Sequence, residues 1–191
     1  MKLRIIGGTL GGTYLTVAAG DFRPTSQQCR EAVANIIRDR IEGAAVADIC
    51  AGSGAFGFEM ISRGAKSVDF VEKDRRRCNE LRAAIDALDL RDCCTAVCDD
   101  AERFARRRER RYDICYFDPP YDDARLQTLP AALTELLSPS GILIYERRAA
   151  KHRSPEAETG KAPSDCREYG DTRIEFYRRS DTADAAPALS A

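Results

Sequence analysis

The chain contains two stretches whose residue types and spacing could do chemistry. The first is Asp118-Pro119-Pro120-Tyr121, directly after the apolar run Ile114-Cys115-Tyr116-Phe117. That context puts it at the carboxyl end of a strand, the edge where open α/β sheets form ligand crevices. Two successive prolines fix the backbone and remove two N–H donors. What remains is a rigid acceptor pair, the Asp118 carboxylate and the Pro119 carbonyl. An exocyclic amine on a nucleobase is a poor nucleophile because its lone pair is delocalised into the ring. Two fixed acceptors can hold both amine hydrogens and aim the nitrogen at a methyl donor, which is catalysis by orientation and preorganised charge. Tyr121 would stack on the extruded base. Guanine, a donor at both N1 and N2, matches a pure acceptor better than adenine, which donates at N6 but accepts at N1.

The second stretch is Asp48-Ile49-Cys50-Ala51-Gly52-Ser53-Gly54-Ala55-Phe56-Gly57, ending one strand and opening a helix. Gly52 and Gly54 allow a sharp turn and close approach of a ligand around Ser53, and Gly57 permits tight helix–strand packing. Glu72 closes the next strand twenty residues after Gly52, where a carboxylate can accept from both hydroxyls of a ribose. Dinucleotide-binding turns share this pattern but carry apolar residues up to the first glycine. A carboxylate at Asp48 is costly if buried unpaired, yet it suits a cation such as the amino group and sulfonium of S-adenosylmethionine. At the end of the third strand, Asp99-Asp100-Ala101 could accept from an adenine amine or could cap the following helix.

The elements that must position these residues follow from periodicity. Leu3 to Ile6 and Thr13 to Val17 read as a hairpin around a glycine-rich turn, and Thr25 with Gln28 forms a capping box for a helix running to about Glu42. From Ala45 onward, apolar runs at 45–50, 67–71, 93–98, 112–117 and 141–145 alternate with helical segments near 55–63, 75–88, 101–109 and 125–137. Such alternation predicts βαβ units and a parallel sheet covered on both faces. Arg147 to Pro163 reads as a polar loop, and Asp165–Tyr169 with Thr172–Tyr177 as a closing hairpin around Gly170-Asp171. Residues 1–179 are expected to form one domain, with 1–42 as an N-terminal extension and 180–191 as a disordered tail.

Composition narrows the classes. With 191 residues, 43% hydrophobic and a net charge of -1, the chain can build a core and is not a disordered polymer. No apolar stretch approaches the length of a membrane span, and the start carries no signal-peptide pattern, so a cytoplasmic protein is expected. A net charge near zero argues against nucleic-acid binding until the distribution is considered. Arg103 to Arg111 holds six arginines against one glutamate, and Arg147 to Arg153 four cations without an acid. The first run reads mainly as a solvated face; the second lies on the same sheet edge as Asp118 and could meet phosphates. The eight cysteines include no Cys-x-x-Cys pair. In a strand Cys93 would face away from Cys94 and Cys98, and the set reads as small reduced core residues rather than a zinc site.

Taken together these residues resemble the bacterial 16S ribosomal RNA guanine-N2 methyltransferases of the RsmD type. The likeness runs through Arg4-Ile5-Ile6-Gly7-Gly8, Arg23-Pro24-Thr25, Arg30-Glu31 with Asn35, and 51–57 with Ser62-Arg63-Gly64-Ala65. It continues through Val71-Glu72, Asp100-Ala101 and 118–121 to Tyr169-Gly170-Asp171-Thr172. The resemblance implies a Rossmann-like class I methyltransferase fold: a seven-stranded, mostly parallel sheet with one antiparallel strand, preceded by a β-hairpin and helix. It implies S-adenosylmethionine held by Thr25, Asp48, Gly52, Ser53, Gly54, Glu72, Asp100 and Ala101, and a target base held by Asp118, Pro119, Pro120 and Tyr121. Arg23, Arg147, Arg148 and Lys151 are the expected RNA contacts, on 16S rRNA in a partly assembled small subunit; no metal and a monomer are expected. The rivals are an adenine-N6 methyltransferase on RNA or DNA and a non-catalytic NAD-binding module.

Overall fold

The computed structural model describes residues 2–16, 27–107, 110–120, 122–149 and 162–179. A short hairpin, β1 (Lys2–Arg4) and β2 (Tyr14–Thr16), precedes α1 (Gln27–Ile36) and a 3-10 turn at Arg38–Arg40. Then strands and helices alternate: β3 (Ala45–Ile49), α2 (Ala55–Ser62), β4 (Ser67–Glu72), α3 (Arg75–Ala87), β5 (Cys94–Cys98), α4 (Ala101–Ala105) and β6 (Tyr112–Phe117). A 3-10 turn (Leu126–Thr128) and α5 (Pro130–Thr134) lead to β7 (Leu137–Arg148), and β8 (Asp165–Tyr169) and β9 (Thr172–Arg178) close the chain.

Seven strands form one sheet in the order β5-β4-β3-β6-β7-β9-β8. β3 to β7 run parallel, and β9 is antiparallel to both β7 and β8. Alternating side chains build two cores. Ile114, Tyr116, Ile142, Ile144 and Phe176 face α1, α2, α3 and the hairpin; Cys115, Phe117, Leu143, Tyr145 and Tyr177 face α4 and α5. Burial on both faces explains why these strands are continuous apolar runs. The chain moves outward from β3 through β4 to β5, then returns to the other side of β3 at β6. The carboxyl ends of β3 and β6 therefore flank the point where strand order reverses, the general place for a crevice.

Several boundaries differ from the sequence reading. The first helix ends at Ile36 rather than near Glu42, and the segment 125–137 divides where Pro130 opens α5. β7 extends from Leu137 to Arg148, beyond the expected 141–145 at both ends. Near its end Arg147 is buried, 4.0 Å from Glu175 on β9. Cys93 does not face away from Cys94: β5 begins only at Cys94, and the two Sγ atoms lie 4.0 Å apart. Cys29, Cys78, Cys94 and Cys115 are buried as expected, whereas Cys98 and Cys166 are exposed. The capping residue Thr25 and the tail 180–191 lie outside the described residues.

Candidate active site

At the end of β3 the backbone turns through left-handed residues: Cys50 (φ 63°), Gly52 (φ 55°) and Gly54 (φ 72°). A non-glycine residue in this region is uncommon and costs energy, a pattern that collects at ligand-binding turns. Gly54 occupies the N-cap of α2 and has no side chain to cap it. Asp48 supplies the missing acceptor from β3: its Oδ2 accepts from the Gly57 N–H at 2.9 Å. Burial pushes the Asp48 carboxyl up to about 7, against the opposing effects of the Gly57 bond and the Arg30 charge. Asp48 thus anchors the helix, a role beyond the ligand contact that the sequence suggested.

Glu72 plays the matching part on β4. Its Oε2 accepts from the Gly52 N–H and its Oε1 from the Asp74 N–H, both at 2.9 Å. A carboxylate has about four lone-pair positions, so these two bonds fix its orientation and leave capacity for hydroxyls. Ser53, at the tip of the turn, has a buried Oγ without a hydrogen-bond partner among the described residues. An orphaned buried hydroxyl is uncommon in a finished structure and marks where a polar ligand would sit. Glycines at the tip, a fixed carboxylate and this orphan atom together fit an adenosyl cofactor.

The Asp99-Asp100 pair divides its roles. Asp100 is the N-cap of α4, accepting from the Arg103 N–H at 2.7 Å. Asp99 is the buried member, ion-paired with Arg103 at 3.2 Å and with Arg107. Ala101 is buried at the start of α4.

Across the reversal point, Asp118 follows β6. Its N–H donates to the Ile49 carbonyl at 3.3 Å, so the Asp-Pro-Pro turn is fastened to the end of β3 beside the glycine turn. Pro119 is buried and Pro120 exposed, and the Pro120 carbonyl accepts from the Asp123 N–H at 3.2 Å. The fold therefore brings Asp48, Gly52, Ser53, Gly54, Glu72 and Asp118 to one edge. Tyr121, Arg23 and Lys151 lie outside the described residues. Of the remaining expected phosphate contacts, Arg148 is exposed, but Arg147 is only 6% accessible and stacks over the Tyr145 ring. Its place is inside the sheet, which corrects the sequence-based expectation.

Beneath the site runs a polar layer that spacing did not reveal. Arg30 on α1 is 2% exposed, with Nη2 donating to the Arg4 carbonyl at 3.3 Å and the charges of Glu59, Glu146 and Asp48 around it. Tyr116 donates its hydroxyl to buried Glu146 and stacks on Phe56 at 3.9 Å. Burial, then the carboxylates of Glu146 and Asp118, push the Cys29 thiol up to about 12. These residues come from six elements spread along the sequence, so no local motif announces them.

The family model described as Conserved hypothetical protein 95 matches residues 3–178. The chain belongs to this family. The RsmD-type class I methyltransferase resemblance drawn from the motifs is upheld. Among curated relatives, YlbH of Bacillus subtilis is 28% identical over 183 residues, covering 93% of this chain and 99% of YlbH. Ribosomal RNA small subunit methyltransferase D of Haemophilus influenzae is 28% identical over 156 residues, covering 78% of this chain and 81% of the relative. Among solved structures, yhhF of Escherichia coli superposes with a TM-score of 0.81 at 24% identity, covering 95% of this chain and 100% of that one. The T. thermophilus 16S rRNA N2 G1207 methyltransferase, solved with AdoMet and guanosine, gives 0.68 at 22%, covering 94% of this chain and 50% of that one. These two structural likenesses concern the fold, a class I methyltransferase architecture.

Proposed function

We propose that the chain transfers a methyl group from S-adenosylmethionine to the exocyclic N2 of a guanine in 16S ribosomal RNA. The observation that carries this reading is the juxtaposition at the β3–β6 reversal point. There, an acceptor turn, Asp118-Pro119-Pro120, is hydrogen-bonded to the strand that ends in the glycine turn. The names of the small-subunit methyltransferase D relatives support ribosomal RNA as the substrate class. When bound, S-adenosylmethionine supplies an electrophilic methyl on a sulfonium. The residues of the chain do the rest by position. Glu72 holds the Gly52 backbone and offers its remaining lone pairs to ribose hydroxyls, while ionised Asp48 provides negative charge below the turn. Asp118 and the Pro119 carbonyl accept the two amine hydrogens and direct the nitrogen lone pair along the line of transfer. Asp118, a pure acceptor when ionised, favours guanine over adenine.

The substrate is taken to be RNA within a partly assembled small subunit, acted on by a monomer in the cytoplasm. No described helix is long and apolar enough to cross a membrane. Methylation of 16S RNA, free and protein-bound, followed by nucleoside mass spectrometry tests the assignment. N2-methylguanosine at one position is the expected product. N6-methyladenosine would overturn the base assignment, and thermal stabilisation by NAD but not by S-adenosylmethionine would overturn the chemistry.

A further inference from the structure

The cations that the sequence displays most openly are largely committed within the fold. In the 103–111 run, Arg103 and Arg107 pair with Asp99, Arg110 with Asp69, and Arg111 with the Glu135 carbonyl. Arg147 is buried against Glu175. Besides the exposed Arg106 and Arg148, uncommitted charge gathers in Lys73-Asp74-Arg75-Arg76 at the entrance to α3. Lys73 and Arg75 are exposed, and their side chains make no hydrogen bond or ion pair among the described residues. Arg76 makes a loose ion pair with Glu80 at 3.8 Å, with the two side chains 64% and 36% exposed, and its charge also acts on Asp74.

Their location is electrostatically unfavourable for the helix. The first turn of α3 holds arginines and no acid, at the end where the helix dipole is positive and cations are repelled. Asp74, the N-cap, offsets part of this by accepting from the Arg77 N–H at 3.0 Å. Three cations placed against the dipole need a reason outside the helix.

The topology supplies one. β4 leads directly into this segment and is two strands from β6 in the sheet order, which at the usual strand spacing is about 10 Å along the edge that carries Asp118. Lys73 directly follows Glu72, which holds the Gly52 N–H of the glycine turn, and its charge acts both at Cys50 in that turn and at Asp123 beyond the Asp-Pro-Pro turn. Asp123, an acid on the far side of that mouth, is bound by Arg125 at 2.9 Å. A base drawn out of an RNA strand into the crevice would bring the phosphates of neighbouring nucleotides to this rim.

We propose that the entrance to α3 is a docking surface for the RNA phosphate backbone, with Lys73, Arg75 and Arg76 as its contacts. The proposal rests on the RNA-methylation reading above. Phosphate contacts position a strand without reading its sequence, and each one contributes to the salt dependence of binding. The test compares wild-type protein, Lys73→Gln and the double variant Arg75→Gln/Arg76→Gln for affinity to a 16S rRNA transcript across a salt series. Arg106→Gln, an exposed cation at the far end of α4, serves as the control.

The expected result is affinity lowered about tenfold or more in the double variant at moderate salt. The log–log salt slope should shrink by roughly one per contact removed. Cofactor affinity should hold, and the melting temperature should stay level or rise as cations leave the positive helix end. Arg106→Gln should leave the slope unchanged. An unchanged slope in Lys73→Gln and in the double variant, with wild-type protein binding and methylating the transcript, overturns this inference alone. Loss of cofactor affinity with RNA affinity intact also overturns it, assigning the segment to the cofactor. Failure of the wild-type protein to bind or methylate the RNA removes the parent reading together with this one.

Discussion

The two ends of α2 use the same materials to different effect. At its start a glycine turn meets two buried acids, Asp48 and Glu72; at its end the Gly7-Gly8 turn of the hairpin meets buried Glu59 and Ser62. The second set is closed. Glu59 accepts from the N–H groups of Ile6 at 2.7 Å and Gly7 at 3.0 Å and from Arg63 Nε at 2.7 Å. Ser62 Oγ donates to the Gly7 carbonyl at 2.5 Å and accepts from the Leu10 N–H at 2.9 Å. Gly8 sits at φ 76° so close to Ser62 that a Cβ there would overlap its carbonyl. At the other end Ser53 Oγ has no partner among the described residues, and Glu72 retains accepting capacity. A glycine turn with a buried acid is therefore not in itself a ligand site; what distinguishes one is polar capacity left unused.

That contrast should break most visibly at Glu59. Glu59→Ala leaves two backbone donors and the Arg63 guanidinium without their acceptor, an expected loss of about 3–5 kcal/mol in urea unfolding. Glu72→Gln should cost far less stability and should instead weaken S-adenosylmethionine binding by about tenfold or more, read by calorimetry.

The two serines sharpen the comparison at smaller scale. Ser62→Ala should destabilise by about 1–3 kcal/mol because it strands the Leu10 N–H and the Gly7 carbonyl. Ser53→Ala removes an orphaned hydroxyl, so stability should be unchanged or slightly raised while cofactor affinity falls a few-fold. Equal losses of stability at both positions would remove the distinction between the two ends.

The last expected effect is on pH. Asp48 has a folded value of about 7, above the usual carboxylate value of 3.8. Between those limits the folded state holds more protons than the unfolded chain, so this group's contribution makes stability fall as pH rises through the window. A cationic ligand prefers ionised Asp48. Cofactor affinity should therefore weaken as pH drops below about 7, by at most about tenfold per unit, with proton release on binding. Asp48→Asn should flatten that profile.

Much of the fold was legible because burial on both faces writes itself into sequence as unbroken apolar runs; the β6 limits, Tyr112–Phe117, match the expectation residue for residue. Where polar groups are buried in pairs that signal fails. Arg147 reads as the start of a loop, yet β7 continues through it, opposite Arg173 on β9 and 4.0 Å from buried Glu175, 28 residues later. The site was legible where chemistry is local: the glycine turn, Glu72 at its fixed spacing, and the Asp-Pro-Pro turn. It was not legible where a residue answers a distant need. Asp48 caps a helix whose own N-cap has no side chain, and Arg30 sits among acids from α2, β3 and β7. The Ser62-Arg63-Gly64 and Ile6-Gly7-Gly8 motifs stand apart in the sequence; only the fold shows that one is the seat of the other.

In the proposed reaction Asp118 orients the acceptor amine without holding the cofactor. Single-turnover methylation of 16S RNA by Asp118→Ala, with S-adenosylmethionine affinity measured in parallel, tests it most directly. The expected result is a fall in the methyl-transfer rate of about a hundredfold or more, with cofactor affinity nearly unchanged. Methylation that proceeds at the wild-type rate in this variant would contradict it.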